Sequence, residues 1–266
     1  MNKQPLLSCD SIVKQYPTAK SVLTGRSVKS LTAVDHVSLE LHHSETLGIV
    51  GESGSGKSTL CDILGDLQHP TSGQVFYKGS NIRTMSREQY RVYRRNVQFI
   101  FQDPKGSLNA HARIGDILVE PLITLKLESS GSRRRQMALE LLESVGLEAA
   151  VIDKYPAQLS GGQCQRIVIA RALITKPEVI VCDEAVSALD VSVQAQILNL
   201  LRDLQDEHNI SYLFISHDIG VVNYMADRIA VMQHGRIVEQ GLTDDVLQSP
   251  QNEYTKQLIA CSFARR

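Results

Sequence analysis

Nine consecutive residues have the composition of a phosphate-binding loop. They run Gly51-Glu-Ser-Gly-Ser-Gly-Lys-Ser-Thr59 and match G-x-x-x-x-G-K-[ST] between an apolar run, Thr46–Val50, and a helical pattern, Ser58–Leu67. Glycines let backbone N–H groups converge on phosphate oxygens, Lys57 neutralises charge, and the Ser58 hydroxyl can reach Mg²⁺. The alternative is a Gly/Ser turn without a ligand, which the strand before and the helix after disfavour. The predicted nucleotide-binding residues here are Gly51, Ser53, Gly54, Ser55, Gly56, Lys57, Ser58 and Thr59.

Two adjacent acids follow a second apolar run. Val179–Cys182 is predicted as a buried strand that delivers Asp183 and Glu184 to its carboxyl end, the edge where open α/β sheets bind ligands. Asp183 is placed to hold Mg²⁺, and Glu184 to polarise a water that attacks the γ-phosphate. Without the phosphate loop, the pair would as readily begin a helix, because acids favour helix N-termini.

The elements around these residues alternate between strand and helix. Leu6–Lys14 and Val34–Leu41 are predicted strands, with a loop or hairpin insertion over residues 18–30 between them. Residues 86–148 are helix-rich, and Arg133-Arg-Arg135 there is interpreted as a solvated helix start. After Pro177 the alternation resumes, with a helix over Ser192–Glu207 and a strand over Tyr212–Ile215. This order predicts an α/β fold with one parallel-sheet core, a P-loop core that carries the phosphate loop, and a helical subdomain inserted in it.

Composition excludes several classes of protein. The 28 Lys and Arg nearly balance the 29 Asp and Glu, so no bulk positive field gathers nucleic acid or an anionic membrane. The N-terminus lacks the pattern of a secretory signal, and no run of about 18 apolar residues predicts a membrane span. Membrane association is therefore expected through a partner. The five scattered cysteines, with no C-x-x-C pair, are interpreted as reduced cytosolic thiols.

Four further motifs, in sequence order with the first two, carry a family resemblance. Leu159-Ser-Gly-Gly-Gln163 resembles the signature motif of ATP-binding-cassette (ABC) ATPases, although alone it could be a polar turn capping a helix. Gln102 resembles the Q-loop glutamine, Ser187-Ala-Leu-Asp190 the D-loop, and His217 the switch histidine. Tyr16 occupies the position of the aromatic residue that stacks on adenine, although core or turn packing is the alternative.

The resemblance implies roles for these residues. Glu184, His217 and Gln102 would be catalytic, and Ser58, Gln102 and Asp183 would bind Mg²⁺. Tyr16 would bind ATP in cis, and the signature residues Ser160, Gly161, Gly162 and Gln163 would close over ATP held by an opposing subunit. The implied fold is a single cassette over residues 1–266: a mixed sheet with an antiparallel β subdomain, and a helical subdomain at about 86–158. That subdomain would contain the Q-loop region and lead to the signature motif.

Within the family, the sequence is most similar to ATPases of oligopeptide, dipeptide and nickel importers. The supporting runs are Ile100–Pro104 with Ser107–Asn109, Ser187–Gln196 and Ser249–Lys256. Three positions depart from the family pattern: Ala185 and Ala110 stand where proline is usual, and Cys164 where a charged or polar residue is usual. No departure removes a catalytic group. With only Cys261 near the end, we expect no iron–sulfur cluster.

The resemblance also implies partners and a place in the cell. We expect a second ABC ATPase, as a heterodimer rather than a homodimer, two transmembrane permeases and, indirectly, an extracytoplasmic solute-binding protein. Nucleic acid is not an expected partner. The expected location is peripheral, at the cytoplasmic face of the inner (plasma) membrane.

Other functions remain open at this point. The same cassette could serve a soluble enzyme complex of the phosphonate-breakdown type or an antimicrobial-peptide-resistance transporter. ABC ATPases of repair or translation are disfavoured, because they typically carry fused cassettes or long coiled-coil insertions. A P-loop kinase has no use for LSGGQ.

Overall fold

The computed structural model of the chain describes residues 4–20 and 27–263. These residues form two compact units. The first contains the residues up to Ser86 together with those from Tyr212 onward, and the second contains Arg87–Ser211. The predicted α/β class is confirmed by the strands and helices given below. The helical subdomain at about 86–158 stays a prediction.

The N-terminal part of the first unit is dominated by antiparallel strands. Its elements are β1 (Leu7–Lys20), β2 (Ser27–Leu41), β3 (Thr46–Val50), α1 (Lys57–Leu64), β4 (Ser72–Tyr77) and β5 (Ser80–Asn81), then a 3₁₀ turn over Ile82–Thr84. Four of these strands form a sheet in the order β2-β1-β4-β5. This sheet is the antiparallel β part that the resemblance implied.

Two boundaries in this part differ from the predictions. β1 and β2 are longer than the predicted strands, because their pairing continues past Tyr16↔Leu31 to Lys20↔Ser27. Of the two predicted forms of the insertion at 18–30, loop or hairpin, the described residues have the paired strands of a hairpin. Residues 21–26 lie outside the described residues. α1 ends three residues before the predicted Leu67, at Leu64, where the Gly65 N–H bonds the Cys61 carbonyl oxygen at 2.9 Å.

The second unit contains five helices and one parallel strand pair. Its elements are α2 (Arg87–Asn96), β6 (Val97–Ile100), α3 (Ile114–Thr124), α4 (Gly131–Ser144), α5 (Gly161–Leu173), β7 (Val179–Asp183) and α6 (Val191–His208), with 3₁₀ turns at Ala149–Asp153 and Pro156–Gln158. β6 pairs in parallel with β7, in register from Val97↔Val179 to Ile100↔Cys182. The helix-rich prediction for 86–148 missed β6. Arg133–Arg135 lie near the start of α4, as predicted.

The C-terminal part of the first unit supplies three strands of the sheet that contains β3. Its elements are β8 (Ser211–Ile215), α7 (Ile219–Met225), β9 (Arg228–Gln233), β10 (Arg236–Leu242), α8 (Thr243–Gln248) and α9 (Glu253–Phe263). β3 pairs in parallel with both β8 and β9, and β9 forms an antiparallel hairpin with β10. All five residues of β3 are buried, which explains its continuous apolar sequence. Among the described residues, no helix is long and apolar enough to cross a membrane.

Candidate nucleotide-binding and catalytic site

The predicted phosphate loop joins β3 to α1 in the first unit. β3 ends at Val50, and α1 begins at Lys57 with Gly56 as its N-cap. The residues between them turn the chain so that the N-terminus of α1, with its unsatisfied N–H groups, faces the loop. A helix N-terminus preceded by such a loop favours an anion, because the N–H groups and the helix dipole both carry partial positive charge there.

Neighbouring backbone fixes the shape of this loop. The Ser55 carbonyl oxygen accepts the Gly235 N–H at 2.9 Å, and the Gly235 carbonyl oxygen accepts the Asp35 N–H at 2.8 Å. Gly56 adopts φ +105°, and a Cβ there would lie 2.1 Å from the Ala33 carbonyl oxygen. Only glycine fits at position 56, because the backbone of β2 lies so close to it. The β9–β10 turn and β2 therefore both restrict the shape of the loop.

Lys57 lies inside the loop. Its side chain is 4% exposed. Its Nζ donates to the carbonyl oxygens of Gly51 and Glu52, each at 2.8 Å, and to Ser55 Oγ at 3.4 Å. The ammonium is thus held beside the N–H groups that would contact phosphate. The hydroxyl of Ser58, the next residue, is on the exposed side of the first helical turn.

His217 follows the strand next to the phosphate loop. Ile49 and Ile215 are paired in register, so Gly51 and His217 each lie two residues beyond the same point on adjacent parallel strands. The turn that carries His217 is closed by two bonds: the Ser216 N–H donates to the Ile49 carbonyl oxygen at 3.2 Å, and the Asp218 N–H donates to Ser216 Oγ at 3.0 Å. Asp218 then caps α7. The structure brings His217 and the loop to one sheet edge.

Tyr16 lies on β1, and its ring already has polar neighbours. Its hydroxyl donates to Gln68 Oε1 at 2.5 Å, and Lys14 Nζ lies 5.2 Å from the ring centroid. The ring is therefore oriented by the protein rather than packed in the core. A base stacked on Tyr16 would use the face opposite Lys14, or displace that ammonium.

Gln102 and Glu184 meet in the second unit. Ile100 pairs with Cys182 across β6 and β7, so Gln102 and Glu184 are each two residues past a registered pair. Their side chains consequently touch: Gln102 Nε2 donates to Glu184 Oε2 at 3.1 Å, and lies 3.4 Å from Ser187 Oγ. Asp183 is the last residue of β7. The amide orients the carboxylate that the sequence singled out as catalytic.

Glu184 has a strained backbone. Its φ is +48°, in the left-handed region that residues with a side chain rarely adopt. Ser187 stabilises this turn with two bonds to the Glu184 carbonyl oxygen, from its N–H at 3.1 Å and its Oγ at 3.0 Å. Strain of this kind persists where surrounding bonds over-determine it, and it clusters at functional sites. Ser187 thus fixes the backbone that carries the Glu184 carboxylate.

The signature motif forms the N-terminus of α5. Ser160 is the N-cap, and its Oγ accepts the Gln163 N–H at 3.3 Å while Gln163 Oε1 accepts the Ser160 N–H at 3.0 Å. This reciprocal capping box engages both polar side chains. By helix geometry, the Gly161 and Gly162 N–H groups have no intrahelical acceptor. The motif therefore presents backbone donors rather than side chains.

Comparison with known proteins agrees with this arrangement. The family model described as "ABC transporter" matches residues 34–187, more than half of the chain. The chain belongs to the ABC transporter family. It is an ABC-type ATPase.

Relatives of this ABC ATPase include transport proteins from two bacteria. It is 46% identical over 258 residues to the dipeptide transport ATP-binding protein DppF of Haemophilus influenzae, covering 97% of this chain and 78% of the relative. It is also 46% identical over 248 residues to the oligopeptide transport ATP-binding protein OppF of Lactococcus lactis subsp. lactis, covering 93% of this chain and 77% of the relative.

A solved structure supports the fold. The dimeric structure of a post-hydrolysis state of an ATP-binding cassette bound to ADP and Pi superposes on this ABC ATPase with a TM-score of 0.77 at 30% identity. The match covers 89% of this chain and 98% of the other.

Two contacts of the phosphate loop were not predicted. Gly235 comes from the β9–β10 turn, and Tyr254 of α9 accepts the Glu52 N–H at 3.0 Å. The dipeptide His234-Gly235 could have indicated the hairpin turn that supplies Gly235, because glycine is common in such turns. Tyr254 lies in Ser249–Lys256, a run that supported only the similarity to peptide and nickel importers. Nothing in that run indicated a contact with the phosphate loop.

Proposed function

We propose that this ABC ATPase binds Mg-ATP and hydrolyses it to energise import of peptides. The contact between Gln102 and Glu184 is the observation that carries the catalytic part of the proposal. The names of the 46%-identical relatives support peptides as the cargo. Nickel or another chelated metal is a second candidate cargo, from the resemblance of the sequence to nickel importers.

Glu184 is the proposed general base. Its carboxylate accepts a hydrogen bond from the attacking water, takes up the developing proton and so raises the nucleophilicity of the oxygen. Gln102 restricts the carboxylate to one orientation through its amide at 3.1 Å, and Ser187 fixes the backbone beneath it. His217, at the carboxyl end of β8, is proposed to contact the γ-phosphate and stabilise its charge.

The donor set suits Mg²⁺. The Ser58 hydroxyl, the Asp183 carboxylate and the Gln102 amide oxygen are hard oxygen ligands, the type that Mg²⁺ prefers. Gln102 directs its amide nitrogen at Glu184, so its oxygen is the atom available to a cation. The ion would neutralise charge on the β- and γ-phosphates.

The nucleotide is proposed to be held by two subunits. In cis, the phosphate loop over Gly51–Thr59 binds the phosphates and Tyr16 stacks on adenine. In trans, the signature residues over Ser160–Gln163 close on ATP bound to the partner, with the Gly161 and Gly162 N–H groups as donors. Because α5 offers these donors at its N-terminus, the helix dipole adds to the attraction for phosphate.

The proposed assembly is a transporter. It pairs this chain with a second, different ABC ATPase and two transmembrane permeases, with a solute-binding protein acting through the permeases. The location is then peripheral, at the cytoplasmic face of the inner membrane. Nucleic acid is not a proposed partner.

Co-purification from native cells tests the assembly. The tagged chain is expected to recover a second cassette and two polytopic proteins in equal amounts, identified by mass spectrometry, with ATPase activity in the complex. A tagged Lys57→Ala chain is the matched control, expected to recover the same partners without ATPase activity. Recovery of soluble enzymes instead would replace the transporter with an accessory ATPase of the phosphonate-breakdown type.

A further inference from the structure

The C-terminal helix reaches back to the phosphate loop. Tyr254 lies in the first turn of α9, and its Oη accepts the Glu52 N–H at 3.0 Å across 202 residues of sequence. The side chain is 9% exposed. A tyrosine hydroxyl is ordinarily uncharged at neutral pH, and burial raises the pKa of Tyr254 further. A buried neutral hydroxyl of this kind makes a fixed, uncharged bond to the backbone.

Hydrogen bonds from main-chain N–H groups to side-chain oxygens hold the start of α9 in position. The Glu239 carboxylate of β10 accepts the Gln251 N–H at 2.7 Å and the Asn252 N–H at 3.1 Å. Asn252 Oδ1 then accepts the Tyr254 N–H at 2.9 Å, which starts α9. The backbone of Tyr254 is thus anchored to β10 through Asn252 and Glu239.

The bond from Tyr254 completes a clamp on one peptide group. The Glu52 N–H and the Gly51 carbonyl belong to the same planar peptide. The N–H donates to Tyr254, and the carbonyl oxygen accepts Lys57 Nζ at 2.8 Å. Rotation of this peptide would move the carbonyl that holds the Lys57 ammonium. Whatever fixes its N–H therefore also fixes the lysine.

We propose that Tyr254 is a positioning residue for ATP binding, acting through the Gly51–Glu52 peptide on Lys57. It makes no contact with the nucleotide. The inference rests on the proposed role of the phosphate loop. Tyr254 holds the loop in its binding conformation before ATP arrives. The loop then loses less conformational entropy when ATP binds, and the affinity is higher.

Tyr254→Phe tests the inference, since it keeps the ring and removes only the acceptor. In the purified transporter complex, the KM for ATP is expected to rise about 5-fold, the effect of losing one neutral hydrogen bond, while kcat changes less than about 2-fold. The matched control is Tyr224→Phe, on α7, where the side chain is 43% exposed; it is expected to leave both constants unchanged. A general loss of packing would lower the thermal midpoint without changing the KM of the folded enzyme.

The outcomes separate this inference from the proposed function. If the wild-type complex binds ATP and Tyr254→Phe has the wild-type KM, the positioning role is wrong and the loop assignment stands. If Lys57→Ala binds ATP normally, the loop assignment itself fails. Should Tyr254→Phe not fold, Glu239→Gln loosens the anchor of α9 and leaves the tyrosine in place. In that variant a KM rise of about 2-fold or more supports the role, and an unchanged KM overturns it.

Discussion

Gly56→Ala is expected to abolish most of the ATPase activity, because a methyl group cannot enter the space beside the loop. The added Cβ would lie 2.1 Å from the Ala33 carbonyl oxygen and 2.8 Å from Met232 Cε. Met232 can turn its flexible end away, but Ala33 is backbone in the paired strand β2. The loop itself must therefore shift.

The size of the effect has two components. Forcing alanine to φ +105° costs about 1–2 kcal/mol. The loop must also move by about 1 Å to restore an ordinary contact with the Ala33 oxygen. A displacement of that size at a phosphate cradle costs about 100-fold in rate. The expected loss in kcat/KM for ATP is therefore about 100-fold or more.

Gly54→Ala separates the two components. Gly54 has φ +80°, but an added Cβ would meet no atom within 4 Å. Backbone strain without a clash against protein atoms predicts a loss of about 30-fold in ATP affinity, smaller than that of Gly56→Ala. The assay is steady-state phosphate release over a range of ATP concentrations, with thermal unfolding to show that both variants fold. Equal losses in the two variants, or wild-type activity in Gly56→Ala, would refute the packing argument.

Three further predictions concern other residues. Lys57→Ala should lose ATP binding in a filter-binding assay, while Lys78→Ala, on the surface of the same unit, should bind as wild type; normal binding by the first contradicts the loop assignment. Burial raises the pKa of the Glu239 carboxyl, but the hydrogen bonds from Gln251, Thr255 and Asn252 and the charge of Lys256 together outweigh burial and hold that pKa below its ordinary value of about 4.5. The ionised Glu239 carboxylate therefore stabilises the fold above about pH 4.5, and this stabilisation is lost as pH falls through the lower pKa of the folded state. In Glu239→Gln, the free energy of unfolding in urea should therefore decrease less between neutral and acidic pH. The same decrease as in the wild type would contradict the prediction. A maleimide at pH 7.5 should label Cys261 on the native protein ahead of the four buried thiols, as intact mass will show, and Cys261→Ser should remove this fast phase.

The sequence predicted the elements whose pattern is local. β3 and β7 are short apolar runs, the first followed by a glycine and the second by acids. Glycines between β3 and α1, with Lys57 at the first position of α1, form a pattern typical of phosphate binding. The carboxyl ends of such strands are where ligands bind, so Glu184 could be proposed from its place after β7. Gln102 and His217 were proposed from the family resemblance. Their contacts then follow from strand register, as in the pairing of Ile100 with Cys182.

The elements that were missed depend on distant partners. β6 has four residues directly after the arginine-rich helix α2, too few for a period to be visible. β1 continues to Lys20 only because β2 pairs with it there. The contact between Tyr254 and Glu52 spans 202 residues, and the left-handed φ of Glu184 depends on the bonds from Ser187. Neither leaves a local signal in the sequence.

Comparing ATP binding and ATP hydrolysis in Glu184→Gln tests the central claim most directly. Glutamine keeps the size of the side chain and removes the base, so the purified complex should bind ATP with wild-type affinity. Its steady-state phosphate release should fall at least about 100-fold, as expected for loss of a general base. Hydrolysis at the wild-type rate with normal ATP binding would contradict the assignment of Glu184 and of the chemistry built on it.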